Sequence, residues 1–187
     1  MSDRKRLTQQ IMMFALAGLC SMSLHAERAD RMKPITVEAD QFVHDEIRKI
    51  SKFQGKVILN KGSLQIRADE IELVEDQAGY QSATAFGNPV QFKQKREAVN
   101  EMIEGQSRRL FYASREETVR LEEAAEMRRV IEGKQADVMQ GEIIIYDSRK
   151  ERYEVNRSGS NAAGKSQSEK TSGRVRVVIQ PKQESKP

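Results

Sequence analysis

Apolar and polar residues alternate one for one along much of this chain, most regularly in FQGKVILNKGSLQIRADEIEL, residues 53–73. Val57 and Leu59 share one side of an extended backbone. Leu64, Ile66 and Ala68 then alternate with Ser63, Gln65 and Arg67, and Ile71 and Leu73 resume the pattern against Glu70 and Glu72. A period of two belongs to a strand with one wet and one dry face. Between the runs, Asn60, Lys61 and Gly62 form a short hairpin loop in which Gly62 is free to take a positive φ. The stretch predicts a β-hairpin running into a third strand.

The period recurs elsewhere. Pro34 precedes Ile35 and Val37, which alternate with Thr36 and Glu38, and a proline there suits an edge strand because it donates nothing to a ladder. After the punctuation of Gly87-Asn88-Pro89, Val90 and Phe92 alternate with Gln91 and Lys93 in a short strand. EIIIYD (142–147) predicts another strand, with Tyr153 and Val155 in its partner, and RVRVVIQ (174–180) the last, with Val175, Val177 and Ile179 on one face. Residues 75–84 are polar and turn-rich, 156–173 read as a flexible loop, and 181–187 as a disordered tail. Only 114–133 points two ways. Its composition is helical, and Ser114 with Glu117 matches a capping box, yet Thr118 to Leu121 alternates and no helical stripe forms. Ala39-Asp40-Gln41-Phe42 and Ala68-Asp69-Glu70-Ile71 look like copies of one element, and Gly105 and Gly141 open extended runs 36 positions apart. Such spacing suggests stacked hairpin units sharing an apolar face.

The first 26 residues change what chemistry is available. Arg4, Lys5 and Arg6 precede a short apolar run from Ile11 to Leu19, and the segment ends at Leu24-His25-Ala26, as a cleaved secretory signal peptide does. The run is too short for a membrane span of ~20 residues. Cleavage removes the single cysteine, Cys20, and leaves His44 as the one histidine. A disulfide, a Cys-His pair and a multi-histidine metal site are thereby excluded from the mature chain. His44, beside Asp45 and Glu46, reads as a solvated loop residue. The expectation is no catalytic residue, no metal and no cofactor. Three cations and one anion leave with the segment, taking the formal charge from +4 to +2. So balanced a chain, without a concentrated basic face, argues against nucleic acid as a partner.

The letters F-x-G-x-V-x-L-x-x-G-x-L-x-I-x-A-D-x-I over 53–71 resemble the core repeat of the OstA-like family of periplasmic lipopolysaccharide transport proteins. The resemblance implies an all-β fold over 27–180, a single β-jellyroll in which one antiparallel sheet forms a twisted V open at both ends. It also implies a strand in the ambiguous region, where relatives carry Gly-Asn-Ala and this chain has Glu122-Glu123-Ala124. The function implied is a bridge protein that holds lipopolysaccharide by its acyl chains. Its partners would be inner- and outer-membrane components of the transport machinery. It would also bind copies of itself head to tail through the edges Ile35 to Val43 and Arg174 to Gln180. By position, Ile35, Phe92, Leu110 and Tyr112 match groove-lining sites of the family. The alternation itself turns Val57, Leu59, Leu64, Ile66, Ile71 and Val90 inward, and Val119, Leu121, Ile143 and Ile145 are further candidates. Arg31, Lys33, Arg108 and Arg109 are candidate phosphate ligands. Ordinary core packing is the plain alternative for every apolar position. Two rival functions stay open: a protein-only adaptor that works by edge-strand addition, and a polysaccharide-cleaving enzyme using a carboxylate pair such as Asp40 and Asp69.

Overall fold

The computed structural model describes residues 33–96, 99–157 and 175–179. The expected signal peptide, most of the flexible loop and the tail lie outside the described residues. Ten strands follow in chain order: β1 (Ile35–Glu38), β2 (Gln41–Asp45), β3 (Ile50–Lys61), β4 (Leu64–Glu75), β5 (Gln81–Lys95), β6 (Glu101–Ala113), β7 (Thr118–Ile131), β8 (Lys134–Asp147), β9 (Arg152–Asn156) and β10 (Arg176–Ile179). They form one antiparallel sheet in which β3 to β8 lie side by side in sequence order. The expected all-β architecture is therefore what the chain adopts, and no helix occurs among the described residues.

Details depart from the pattern reading. The β3–β4 loop is Gly62-Ser63, since Lys61 already pairs with Leu64. Gly62 takes φ +57, as the first position of a tight two-residue turn favours. Residues 118–131 are strand throughout, because Val119, Leu121, Ala125 and Met127 all reach the buried side, which overrides their helical composition. Gly87-Asn88-Pro89 does not precede a short strand. It lies inside the 15-residue β5, whose register with β6 jumps between Phe86 and Val90.

That jump is one of a row. The register also shifts between Gln54 and Val57 in β3, Arg67 and Glu70 in β4, Gln106 and Arg109 in β6, and Glu122 and Ala125 in β7. Each irregularity bends its strand and adds local twist. Lined up across neighbours, they crease the sheet into two arms. The two copies read as a repeat, around Ala39-Asp40 and Ala68-Asp69, both sit on this crease. The repeating unit is thus the bend of a long strand and not a stacked hairpin.

The edges are broken at the same line. The expected edge strand Ile35 to Val43 is two strands, β1 on one half of β3 and β2 on the other, interrupted at Ala39-Asp40. Gly55 explains the break. It takes φ +82, and a Cβ there would lie 2.4 Å from the Asp40 carboxylate. At the far edge, β9 pairs with one half of β8 and β10 with the other. The expected Arg174 to Gln180 strand is described as β10, with positions 174 and 180 outside the described residues.

In β7 the crease is made by residues ill-suited to it. Glu123 and Ala124 have φ of +65 and +58, one position beyond the Glu122-Glu123 pair expected to replace glycine and asparagine. A left-handed conformation costs an ordinary L-residue roughly 1–2 kcal/mol, and asparagine tolerates it better. Ala124 is exposed, so Ala124→Asn loses no packing. It should stabilise the fold by about 0.5–1 kcal/mol and raise the melting temperature by about 1–4 °C. An unchanged or lower melting temperature in a thermal scan would count against strain at this bend.

Candidate functional site: the interior of the folded sheet

The crease brings the dry faces of the two arms together. Phe92, on one arm of β5, lies 6.4 Å from Tyr146 on the other arm of β8, although three strand pairings separate them in the sheet. A Cβ on Gly105 would come within 2.7 Å of Leu121 Cδ1 and 3.2 Å of Phe92 Cδ1, so the arms close fully where β6 carries no side chain.

Nine of the ten positions expected to line the groove fall in one buried cluster: Val57, Leu59, Leu64, Ile66, Ile71, Val90, Phe92, Leu110 and Tyr112. The tenth, Ile35, is partly buried and packs against it. Val119 and Leu121 join the cluster, but Ile143 and Ile145 do not. Glu122 pairs with Ile143 and Ala125 with Gly141, so Glu123 and Ala124 of β7 together face the single Glu142 of β8 at the crease. Across this bulge the alternation of β8 changes phase, with Met139 buried before it and the even-numbered Ile144 and Tyr146 buried after it. Ile144 and Tyr146 therefore point inward beside Leu121 and Val119.

The interior opens at the N-terminal edge. There a cavity of about 650 Å³ is lined by Ile35, Val37, Phe42, Phe53 and Leu73, with His44, Glu46 and Lys49 at its rim. His44 is not a loop residue. It lies on the inner side of β2, with Nδ1 2.9 Å from Ser51 Oγ and Nε2 2.8 Å from Glu46. Hydrogen bonds from Lys49 and His44 hold the Glu46 carboxyl below its ordinary range. The rim is thus a set of paired charges around an apolar opening.

The opposite end differs. Carrying the inward phase on from Phe92 gives Gln94 and Arg96, from Ile103 it gives Glu101, and from Met127 it gives Arg129. Arg96 is in contact with Glu101 on its own arm and with Glu151 in the β8–β9 turn of the other arm. Arg129 reaches Glu101 at 3.5 Å and Asp137 at 2.7 Å. Only 14% of the Arg96 side chain is exposed. Burial works against its charge, yet Glu151 and Glu101 hold the guanidinium above its usual range. Tyr146 and Tyr153 stack 4.9 Å apart beside this network, and burial pushes both hydroxyl pKa values up. Nothing in the apolar pattern announced these residues, although extending its phase past the last hydrophobic position would have found them.

The candidate cations do not gather at either end. Arg109 is paired with Glu122 on the outer face, Lys33 and Arg108 are exposed, and Arg31 lies outside the described residues. Asp40 and Asp69 both sit on the crease, at the β1–β2 break and in the β4 irregularity. Among the described residues no group of three or more His, Cys, Asp or Glu could hold a metal ion.

Comparisons with known proteins agree with this architecture. The chain is 27% identical over 172 residues to the lipopolysaccharide export system protein LptH of Pseudomonas aeruginosa, covering 90% of this chain and 91% of that one. The crystal structure of LptH, described as the LptA-homologous periplasmic component of the conserved lipopolysaccharide transport device of that organism, superposes with a TM-score of 0.67. It is 25% identical and covers 81% of this chain and 99% of the other. The profile of the family described as "LptA/(LptD N-terminal domain) LPS transport protein" matches residues 36–152, so a creased sheet with a continuous apolar interior belongs here to a member of that family.

Proposed function

We propose that this protein is a periplasmic carrier that holds lipopolysaccharide by its acyl chains between the two arms. It passes the lipid from inner- to outer-membrane components as one link of a head-to-tail bridge. The observation that carries this reading is the interior itself: a continuous apolar cluster that reaches solvent through the N-terminal cavity lined by Ile35, Val37, Phe42, Phe53 and Leu73. Each methylene taken out of water contributes roughly 0.8 kcal/mol, so a multi-chain lipid needs such a lining to cross an aqueous space. Family membership and the likeness to a periplasmic transport component support the same compartment and cargo.

The bridge follows from the edges. Phe42 and Val43 on β2 with Ile47 in the β2–β3 turn at one end, and Val177 and Ile179 on β10 at the other, expose apolar surface at the two edges of the sheet. Exposed edges invite pairing with another chain. Two different ends that meet head to tail build an open stack and not a closed ring. The same edges favour a second reading, an adaptor that binds only proteins by strand addition.

A photo-crosslinking residue at Phe53 or Phe92, in cells, separates the two. Lipopolysaccharide adducts at both positions, and none at the outward-facing Gln91, are the expected result. A folded, exported protein that gives no adduct at either inner position makes the adaptor the better account.

A further inference from the structure

The two ends of the interior are built differently. The N-terminal end is an open apolar cavity, whereas the C-terminal end is crossed by charge. We propose that Arg96 and Glu151 form a latch that keeps the arms shut at the C-terminal end, and that the latch must release before an acyl chain can pass there. The inference rests on reading the interior as the lipid path.

Four observations converge on it. First, the contact joins the β5–β6 end of one arm to the β8–β9 turn of the other, 55 residues apart in sequence. Its breakage therefore frees the arms without breaking a strand pairing. Second, it stands beside the place where the interior has no room. Phe92 faces Tyr146, and Leu121 fills the space over Gly105, so a chain threading past must part these contacts and carry Glu151 away from Arg96. Third, the closed arrangement is imperfect: Arg96 Nε and the Tyr153 hydroxyl are buried without a hydrogen-bond partner. A buried orphan donor is destabilising, and water admitted on opening would satisfy both. Fourth, the partners are asymmetric. Glu151 is 48% exposed and can exchange Arg96 for water, while Arg96 keeps Glu101. A phosphate-binding role fits this cluster poorly, because Glu101, Asp137 and Glu151 outnumber Arg96 and Arg129.

Cys20 is the only cysteine and lies in the signal segment, so spin labels can be placed cleanly in the chain from residue 27 onward. Labels on a K95C/R149C pair, both exposed and outside the network, report the gap between the arms by pulsed electron resonance. The expected result without lipid is one short, narrow distance in the otherwise unaltered chain, a longer and broader one in E151Q, and a further increase in E151K. Lipopolysaccharide should move the unaltered chain to the distance of E151Q. An E151Q or E151K chain with unchanged circular dichroism and unchanged spacing overturns the latch, whatever the lipid does. Wide spacing in E151Q with no response of the unaltered chain to bound or added lipopolysaccharide upholds the latch and sinks the conduit.

Discussion

Truncating Leu121 to alanine should cost about 3 kcal/mol of stability, and a methyl group added at Gly105 should return part of it. Leu121 is fully buried, and removing a buried leucine side chain costs roughly 2–5 kcal/mol, depending on how far the site collapses. Gly105→Ala alone should also destabilise, by about 1–2 kcal/mol, because its Cβ would press on Leu121 Cδ1 at 2.7 Å and on Glu126 O and Phe92 Cδ1 at 3.2 Å. With Leu121 shortened, the same methyl enters vacated space. The double variant should therefore be more stable than the sum of the single effects predicts, by about 2–3 kcal/mol, which exceeds the cost of Gly105→Ala alone. Leu121 and Gly105 lie on different arms, six residues apart along β7 when Gly105 is referred to its partner Met127. Additive effects in denaturant unfolding would mean that the arms do not touch.

Gly55→Ala should destabilise by about 2–4 kcal/mol and shorten the head-to-tail assemblies proposed above. Two costs combine. Alanine at φ +82 is strained by roughly 1–2 kcal/mol, and its Cβ would lie 2.4–2.9 Å from Asp40 side-chain atoms, which adds an overpacking cost of about 1–3 kcal/mol. The Asp40 amide donates to the Gly55 carbonyl at 3.0 Å, so the displaced residue is the pivot between β1 and β2. Moving it distorts the edge that the head-to-tail bridge would use. Asp40→Gly in the same chain should restore the space and leave only the backbone strain. Light scattering reads the assembly directly. A destabilised Gly55→Ala chain that stacks as well as the parent would remove this edge from the interface.

The alternation made the strands and their dry faces visible, since period two is imposed by the backbone itself. Val57, Leu59, Leu64, Ile66, Ile71 and Val90 are buried together for that reason, whereas Phe92, Leu110 and Tyr112 were placed by the family resemblance. What the pattern concealed was where its phase changes. Ile143 and Ile145 looked inward because EIIIYD carries no mark of the bulge opposite it, where Glu123 and Ala124 of β7 face Glu142 and the alternation of β8 changes phase. The crease was half visible: its glycines and Ala-Asp pairs were noticed as repeats, but their meaning lay in alignment across neighbouring strands, which no single segment contains. The ionic network at the C-terminal end was hidden for a different reason. Arg96, Glu101 and Arg129 continue an inward phase with charged side chains, which a search for hydrophobic periodicity ends on. One of their contacts, that of Arg96 with Glu151, also comes from the other arm, which no single segment reveals.

The order of the strands also bears on how the molecule forms. Because β3 to β8 are neighbours in both sequence and space, each new strand needs only a short turn to reach a partner already in place. Local pairing of this kind carries a small loop-closure cost at each step and favours fast assembly for an all-β chain. One pairing breaks the rule: β10 returns to β8 only after residues 157–175 have been bridged. That strand should dock last during folding. In native-state hydrogen exchange its amides should be the first to lose protection, while those of the central strands persist until the whole sheet opens.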